Sequence, residues 1–235
     1  MFASLPMYHR AETSAALDDI WAALRDAIKD AGLKAPDTLD QDQIGIEAWL
    51  RPDMVLSQTC GMPFRKHLHP HVTLVGTLDH GVESCPAGYY NSAIITRVGA
   101  LPANPKPSIN DMLSQSGYAA LLEVLPEPHD PILSGGHLNS AQLVAEGKAD
   151  IAAIDAVTWR MIEAYDPFSD QLQVIQHTKP RPGLPLITAL PKEQAAQLRT
   201  ALDIGLKNAD AAAKELLGIK GLVHIPASAY LKVKP

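Results

Sequence analysis

The amino-acid sequence predicts an α/β protein of two lobes, with the chain crossing twice between them and a ligand cleft where they meet. Three observations lead there. Short apolar runs alternate with segments of helical periodicity along the whole length, the pattern of strands interleaved with helices. No internal repeat recurs at a solenoid period. The alternation is interrupted near Tyr89 and again in the proline-rich stretch 178–185, where a chain leaving and re-entering a lobe would pass. One lobe is therefore placed at residues 1–88 plus 184–235 and the other at 89–183.

The elements follow in order. Residues 2–5 read as a short strand. Residues 12–31 form an amphipathic helix, with Ala16, Ile20, Ala23, Leu24, Ala27 and Ile28 on one face, Asp18, Asp19, Arg25, Asp26 and Lys29 on the other, and Gly32 closing it. Residues 44–50 are a short helix, 54–57 a buried strand running into the turn Gln58-Thr59-Cys60-Gly61, and 72–76 the next strand. The stretch 89–97 alternates and then turns β-branched, as a strand does. The pattern Ser114-Gln115-Ser116-Gly117 caps a helix at 116–125, and 131–133 is a short strand. Residues 137–146 are a helix ended by Gly147, 150–154 a strand flowing into a helix at 157–164, and 172–175 a strand. After the second crossing come a strand at 186–189, helices at 192–208 and 211–217, and a terminal strand at 221–225.

Composition narrows the function. With 26 acidic and 20 basic side chains the net charge is −6. Lysines and arginines form no block longer than Arg65-Lys66, so neither nucleic acid nor an anionic membrane is an expected partner. No run reaches the ~18 apolar residues of a membrane span, so membrane insertion is not expected either. The opening Met1-Phe2-Ala3-Ser4-Leu5-Pro6 lacks the basic and apolar regions of a secretory signal, which leaves a cytoplasmic location open. The two cysteines, Cys60 and Cys85, can make neither a four-ligand zinc site nor a CxxC pair. They are either buried thiols or one disulfide.

Few constellations carry chemistry. Ser114, Ser116 and Gly117 open a helix, where hydroxyls and unsatisfied backbone N–H groups suit an oxyanion as well as a plain cap. His67, His69 and His71 suggest a metal, but Pro70 intervenes and no carboxylate is near, so a surface loop is expected and no metal or cofactor. A nucleophile triad drawn from Ser57, Ser114 or Ser116 with His137 and Asp155 lacks a GxSxG elbow. No glycine-rich nucleotide loop is present. Asp155 ends an apolar run and starts a helix, so it is either a helix cap or a ligand contact at the carboxyl end of a strand.

Taken together, Ala3-Ser4-Leu5-Pro6-Met7-Tyr8, Leu56-Ser57-Gln58-Thr59-Cys60-Gly61, Gly88-Tyr89-Tyr90-Asn91-Ser92, Ser114-Gln115-Ser116-Gly117, and Gly136-His137 followed by the run 144–155 resemble the phosphate/phosphite/phosphonate-type substrate-binding proteins of ABC importers. The resemblance implies the type II periplasmic binding fold and a non-enzymatic solute-binding role. It implies that Ser114, Ser116, Gly117 and His137 hold the phosphoryl oxygens. Tyr8, Gln58, Thr59 and Tyr90 would line the cleft, and Asp155 would face the other end of the ligand. A periplasmic location, an ABC permease as partner and a monomeric state follow from the same likeness. In an exported chain Cys60 and Cys85, each after a predicted strand or turn, are expected to form a disulfide, and in a cytosolic one to be reduced thiols.

Two rivals stand beside this reading: an enzyme of the same architecture with His137 as base and Asp155 orienting it, and a cytosolic ligand sensor. The motifs expected to seat the phosphoryl group, Ser114-Gln115-Ser116-Gly117 and Gly136-His137, contain no lysine or arginine, while Asp155, Tyr8, Tyr90 and Trp159 are available to an ammonium. A zwitterion such as an aminoalkylphosphonate is therefore expected over free phosphate.

Overall fold

The computed structural model describes residues 1–233. In chain order the strands are β1 (Phe2–Ser4), β2 (Met54–Gln58), β3 (Thr73–Asp79), β4 (Tyr89–Tyr90), β5 (Ser92–Arg97), β6 (Pro107–Ile109), β7 (Ile132–Leu133), β8 (Ile151–Asp155), β9 (Leu172–His177), β10 (Arg181–Pro182), β11 (Pro185–Thr188) and β12 (Gly221–Val223). The helices are α1 (Ser14–Asp30), α2 (Ile46–Trp49), α3 (Gly61–Pro63), α4 (His137–Ala145), α5 (Ala156–Tyr165), α6 (Lys192–Asn208), α7 (Ala211–Leu217) and α8 (Ala227–Leu231).

The chain divides into two compact units, Met1–Tyr89 with Pro182–Val233, and Tyr90–Arg181. The first unit has a sheet of order β1-β2-β11-β3-β12. β1 and β2 run parallel, and β11 is antiparallel to both β2 and β3, so β1, β2 and β3 all end at one edge. Both sheet faces are covered. Trp21, Leu24 and Ile28 of α1 pack with Leu198 and Leu202 of α6 over Leu56 and Leu186. Phe64, Leu68 and Tyr230 pack with Met54 and Ile187 on the opposite face. A register shift opposite Phe2 and Ala3 accounts for Met54 and Leu56 serving different cores, because an extra residue reverses the alternation of a strand. Helices α1 and α6 approach so closely that a Cβ at Gly205 would lie 2.9 Å from the Ala23 carbonyl oxygen.

The second unit has a sheet of order β7-β6-β8-β5-β9. β6 is parallel to β7 and β8, and β5 is antiparallel to β8 and β9, so β6, β7, β8 and β9 end at one edge. Pairing of Ala93 with Ile154 and of Ile95 with Ala152 turns these residues to the face packed by Ala141 and Val144 of α4 and Trp159 and Ile162 of α5. Ile94 and Ala153 point the other way, to Ile109, Ala120 and Leu121. The crossing segments β4 and β10 pair as a two-stranded ribbon.

Several local expectations change. The strand expected at 89–97 breaks at Asn91, and the helix expected at 116–125 opens as a wide π-type turn over Gln115–Ala119. Residues 61–68 are helical rather than a loop, and His67, His69 and His71 are exposed along and after that segment. Trp159 packs in the core of its own unit at 7 % exposure instead of serving a ligand. Cys60 and Cys85 are not bridged, and burial raises the Cys85 thiol pKa. Thiol titration of the unfolded, non-reduced protein is expected to count two thiols, and a count of zero would show a bridge.

Candidate functional site

The carboxyl edge of the second unit's sheet gathers four of the expected residues. After β6 ends, Ser114 caps the next segment: its Oγ accepts from the Gly117 N–H at 2.9 Å. The Ala119 N–H donates to the Ser114 carbonyl at 3.0 Å, five residues apart, which is the wide π spacing. Ser114, Gln115 and Ser116 are each only 4 % exposed, so their polar groups are shielded from bulk water. π turns are rare and frequently lie at functional sites, although a second one, Phe64–Leu68, lies elsewhere in this chain.

The first residue of α4 meets this turn. Ser116 Oγ lies 2.8 Å from His137 Nε2. Burial lowers the His137 imidazole to about 4, the Ala153 carbonyl pulling the other way, so the ring is uncharged at neutral pH. Ser134 and Ser140 brace the start of α4: their hydroxyls are 2.6 Å apart, and Ser108 of β6 donates to Ser140 at 3.1 Å. The site thus offers uncharged hydroxyl, imidazole and backbone groups, with no lysine or arginine in Ser114-Gln115-Ser116-Gly117 or Gly136-His137.

Asp155 ends β8 opposite Ser92, on the side of the sheet that also carries the pair Ile94 and Ala153. It is 2 % exposed, and its Oδ1 accepts from the Val157 and Thr158 N–H groups at 2.8 and 3.3 Å. It therefore caps α5, stabilising that helix by about 1 kcal/mol by analogy with other caps. Tyr90 is buried in β4, two residues before Ser92.

The remaining expected residues belong to the first unit and share an edge of its sheet. Tyr8 ends a 3-10 turn at Pro6–Tyr8 after β1, and Gln58 ends β2. Thr59 is fully buried, its N–H donating to the Pro185 carbonyl at 3.0 Å. Sequence reasoning missed two residues at these edges. His80 follows β3, donates from Nδ1 to the Leu217 carbonyl at 3.1 Å, and meets the Tyr8 ring edge-on at 4.9 Å. Asn110 follows β6 directly and lies against Gly117. Position just beyond an apolar strand was the available signal for both.

A model of the family described as ABC transporter, phosphonate, periplasmic substrate-binding protein matches residues 89–230, more than half of the chain. The chain belongs to this family. Its role is solute binding rather than catalysis, for an ABC transporter that takes a small ligand. Among solved structures, PhnD1 from Prochlorococcus marinus in complex with methylphosphonate is similar at a TM-score of 0.73 and 12% identity, covering 98% of this chain and 94% of that one. A binding protein component of an ABC phosphonate transporter from Pseudomonas aeruginosa is similar at 0.69 and 20% identity, covering 95% and 80%. XAC2383 from Xanthomonas citri bound to ATP matches at 0.70 and 14% identity, covering 97% and 92%. At these identities the likeness carries the fold, which is the type II periplasmic binding fold. No curated protein matches the sequence. The family is periplasmic, and among the described residues no helix is long and apolar enough to cross a membrane.

Proposed function

We propose that the protein captures a small tetrahedral oxyanion of the phosphonate class on the Ser114–Gly117 turn, acts as a monomer in the periplasm, and hands the ligand to an ABC permease. The observation that supports this most is the Ser116–His137 pair at 2.8 Å, set beside a capped, water-shielded turn at the carboxyl edge of a sheet. A hydroxyl and a neutral imidazole in contact can pass hydrogen-bonding capacity between them: when Nε2 carries the proton and donates to Ser116 Oγ, the Ser116 O–H is released to donate to an anion. Gly117, without a side chain, leaves the room against the turn that Asn110 Oδ1 occupies. Tyr8, Gln58, Thr59 and Tyr90 are proposed as further contacts on the strength of the family resemblance, and Asp155 as the group that meets an ammonium when the ligand carries one.

Calorimetry with phosphate, phosphite, methylphosphonate and 2-aminoethylphosphonate tests the reading. Ser116→Ala is expected to weaken the best of these by roughly 1 to 3 kcal/mol, because a hydrogen bond to a charged group is lost. Its melting temperature should change little. Unchanged affinity in Ser116→Ala would move the site elsewhere. Asp155→Asn keeps the cap and removes the charge, so 2-aminoethylphosphonate should lose affinity while phosphate holds or gains. The reverse would show that the carboxylate serves the helix alone.

A further inference from the structure

We propose that Asn110 is a further oxyanion donor of this site, presenting its amide Nδ2 beside Ser114 and Gly117. The proposal rests on the reading of the Ser114–Gly117 turn as the oxyanion seat.

Three observations carry it. The main chain of Asn110 is fixed just beyond β6, since its carbonyl accepts from the Gly135 N–H at 3.1 Å. The side chain lies flat against Gly117: a Cβ built there would meet Asn110 Oδ1 at 1.8 Å, Asn110 Cγ at 2.9 Å and Ser114 Oγ at 3.0 Å. Oδ1 is buried without a hydrogen-bond partner among the described residues, whereas Nδ2 is not buried and bonds to none of them.

The orientation of the amide follows from its neighbours. The Gly117 N–H is already committed to Ser114 Oγ, so Oδ1 rests on the Gly117 Cα–H, a weak but favourable C–H···O contact. An amide nitrogen in that place would set N–H against C–H. With oxygen inward against Gly117, Nδ2 is the end of the amide that is left unburied.

A structural role does not account for the amide. Valine or leucine would fill the space against Gly117 without burying an unsatisfied acceptor, which destabilises a fold. What the amide adds over an apolar side chain is its pair of N–H donors. Donors without charge suit an oxygen of phosphate or phosphonate and offer nothing to a cation. Together with Ser116 and His137 they give a cradle of neutral donors, to which Asn110 adds one that bonds to none of the described residues.

The test is calorimetry with inorganic phosphate, methylphosphonate and 2-aminoethylphosphonate on wild type, Asn110→Leu, Asn110→Asp and Ser116→Ala, with melting temperatures recorded alongside. Asn110→Leu is expected to bind the best probe about ten- to a hundredfold more weakly, the worth of one hydrogen bond to a charged group, at an unchanged or raised melting temperature. Asn110→Asp keeps the shape and sets a carboxylate against the anion, so it should bind more weakly still at pH 7, and it decides the matter if Asn110→Leu does not fold. Asn110 variants within twofold of wild type while Ser116→Ala is weakened would overturn the role of Asn110 and leave the site standing. Wild-type affinity in Asn110→Leu and Ser116→Ala alike, or no binding of any probe to wild type, would overturn the oxyanion seat itself.

Discussion

Gly117→Ala is expected to abolish phosphonate binding and to lower the melting temperature. The cause is space rather than backbone conformation. The new Cβ would sit 1.8 Å from Asn110 Oδ1 and 3.0 Å from Ser114 Oγ, and both neighbours are held, the first by the anchored main chain of Asn110 and the second by its bond to the Gly117 N–H. Overpacking of this kind costs about 1 to 3 kcal/mol, which corresponds to roughly 2 to 12 °C in a chain of this size. Relief by turning the Ser114–Gly117 turn outward would break the cap and pull Ser116 from His137, so binding goes with stability. The double variant Asn110→Ala/Gly117→Ala removes the worst collision and should recover most of the melting temperature without recovering wild-type affinity. A Gly117→Ala protein that binds methylphosphonate like wild type would show that the turn is not the seat of the ligand.

Much of the architecture was legible because it rests on patterns that sequence carries directly. Helices α6 and α7 fall where the apolar period and the caps put them, and the run ending at Asp155 shows its strand and its helix start in adjacent residues. The departures have local physical causes. Alternation alone would set Met54 and Leu56 on one face, but the register shift in β1 and β2 divides them between two cores. The π turn at Gln115–Ala119 was hidden because Ser-x-x-Gly also opens an ordinary helix; its width is set by the bond from Ala119 to Ser114. Ser116 and His137 stand 21 residues apart, and a 2.8 Å contact between them depends on β6 and α4 meeting in space. No spacing rule encodes that. Trp159 shows the opposite error, in which an aromatic residue near a strand end was assigned to a ligand although its helical position turns it into the core. Asn110 was passed over because a single amide after a short strand looks like a turn residue until its Oδ1 is found against Gly117.

Stability toward acid should depend on His137. Its imidazole falls to about 4 in the folded protein from the ordinary histidine value of 6.5, because burial disfavours the charged ring. Between those values the unfolded chain binds the proton more readily than the folded one, so stability declines as pH falls from about 6.5 toward 4 and is level above that window. At 1.36 kcal/mol per pKa unit the full shift corresponds to about 3 kcal/mol. His137→Gln keeps a polar group opposite Ser116 but cannot titrate there, so its melting temperature should fall less than that of wild type between pH 7 and pH 4.5. His224 is also lowered by burial and by Arg199, which is why the difference between the two proteins, and not the wild-type profile, carries the test. Parallel profiles would remove His137 as the acid-sensitive group. A bound phosphonate then provides a second reading of the same group: an anion beside the imidazole favours its protonated form, so saturating methylphosphonate should reduce the loss of stability on the acid side in wild type and leave the profile of His137→Gln unaltered in shape. Stabilisation by methylphosphonate that is equal at pH 7 and pH 4.5 would mean that the ligand sits away from His137.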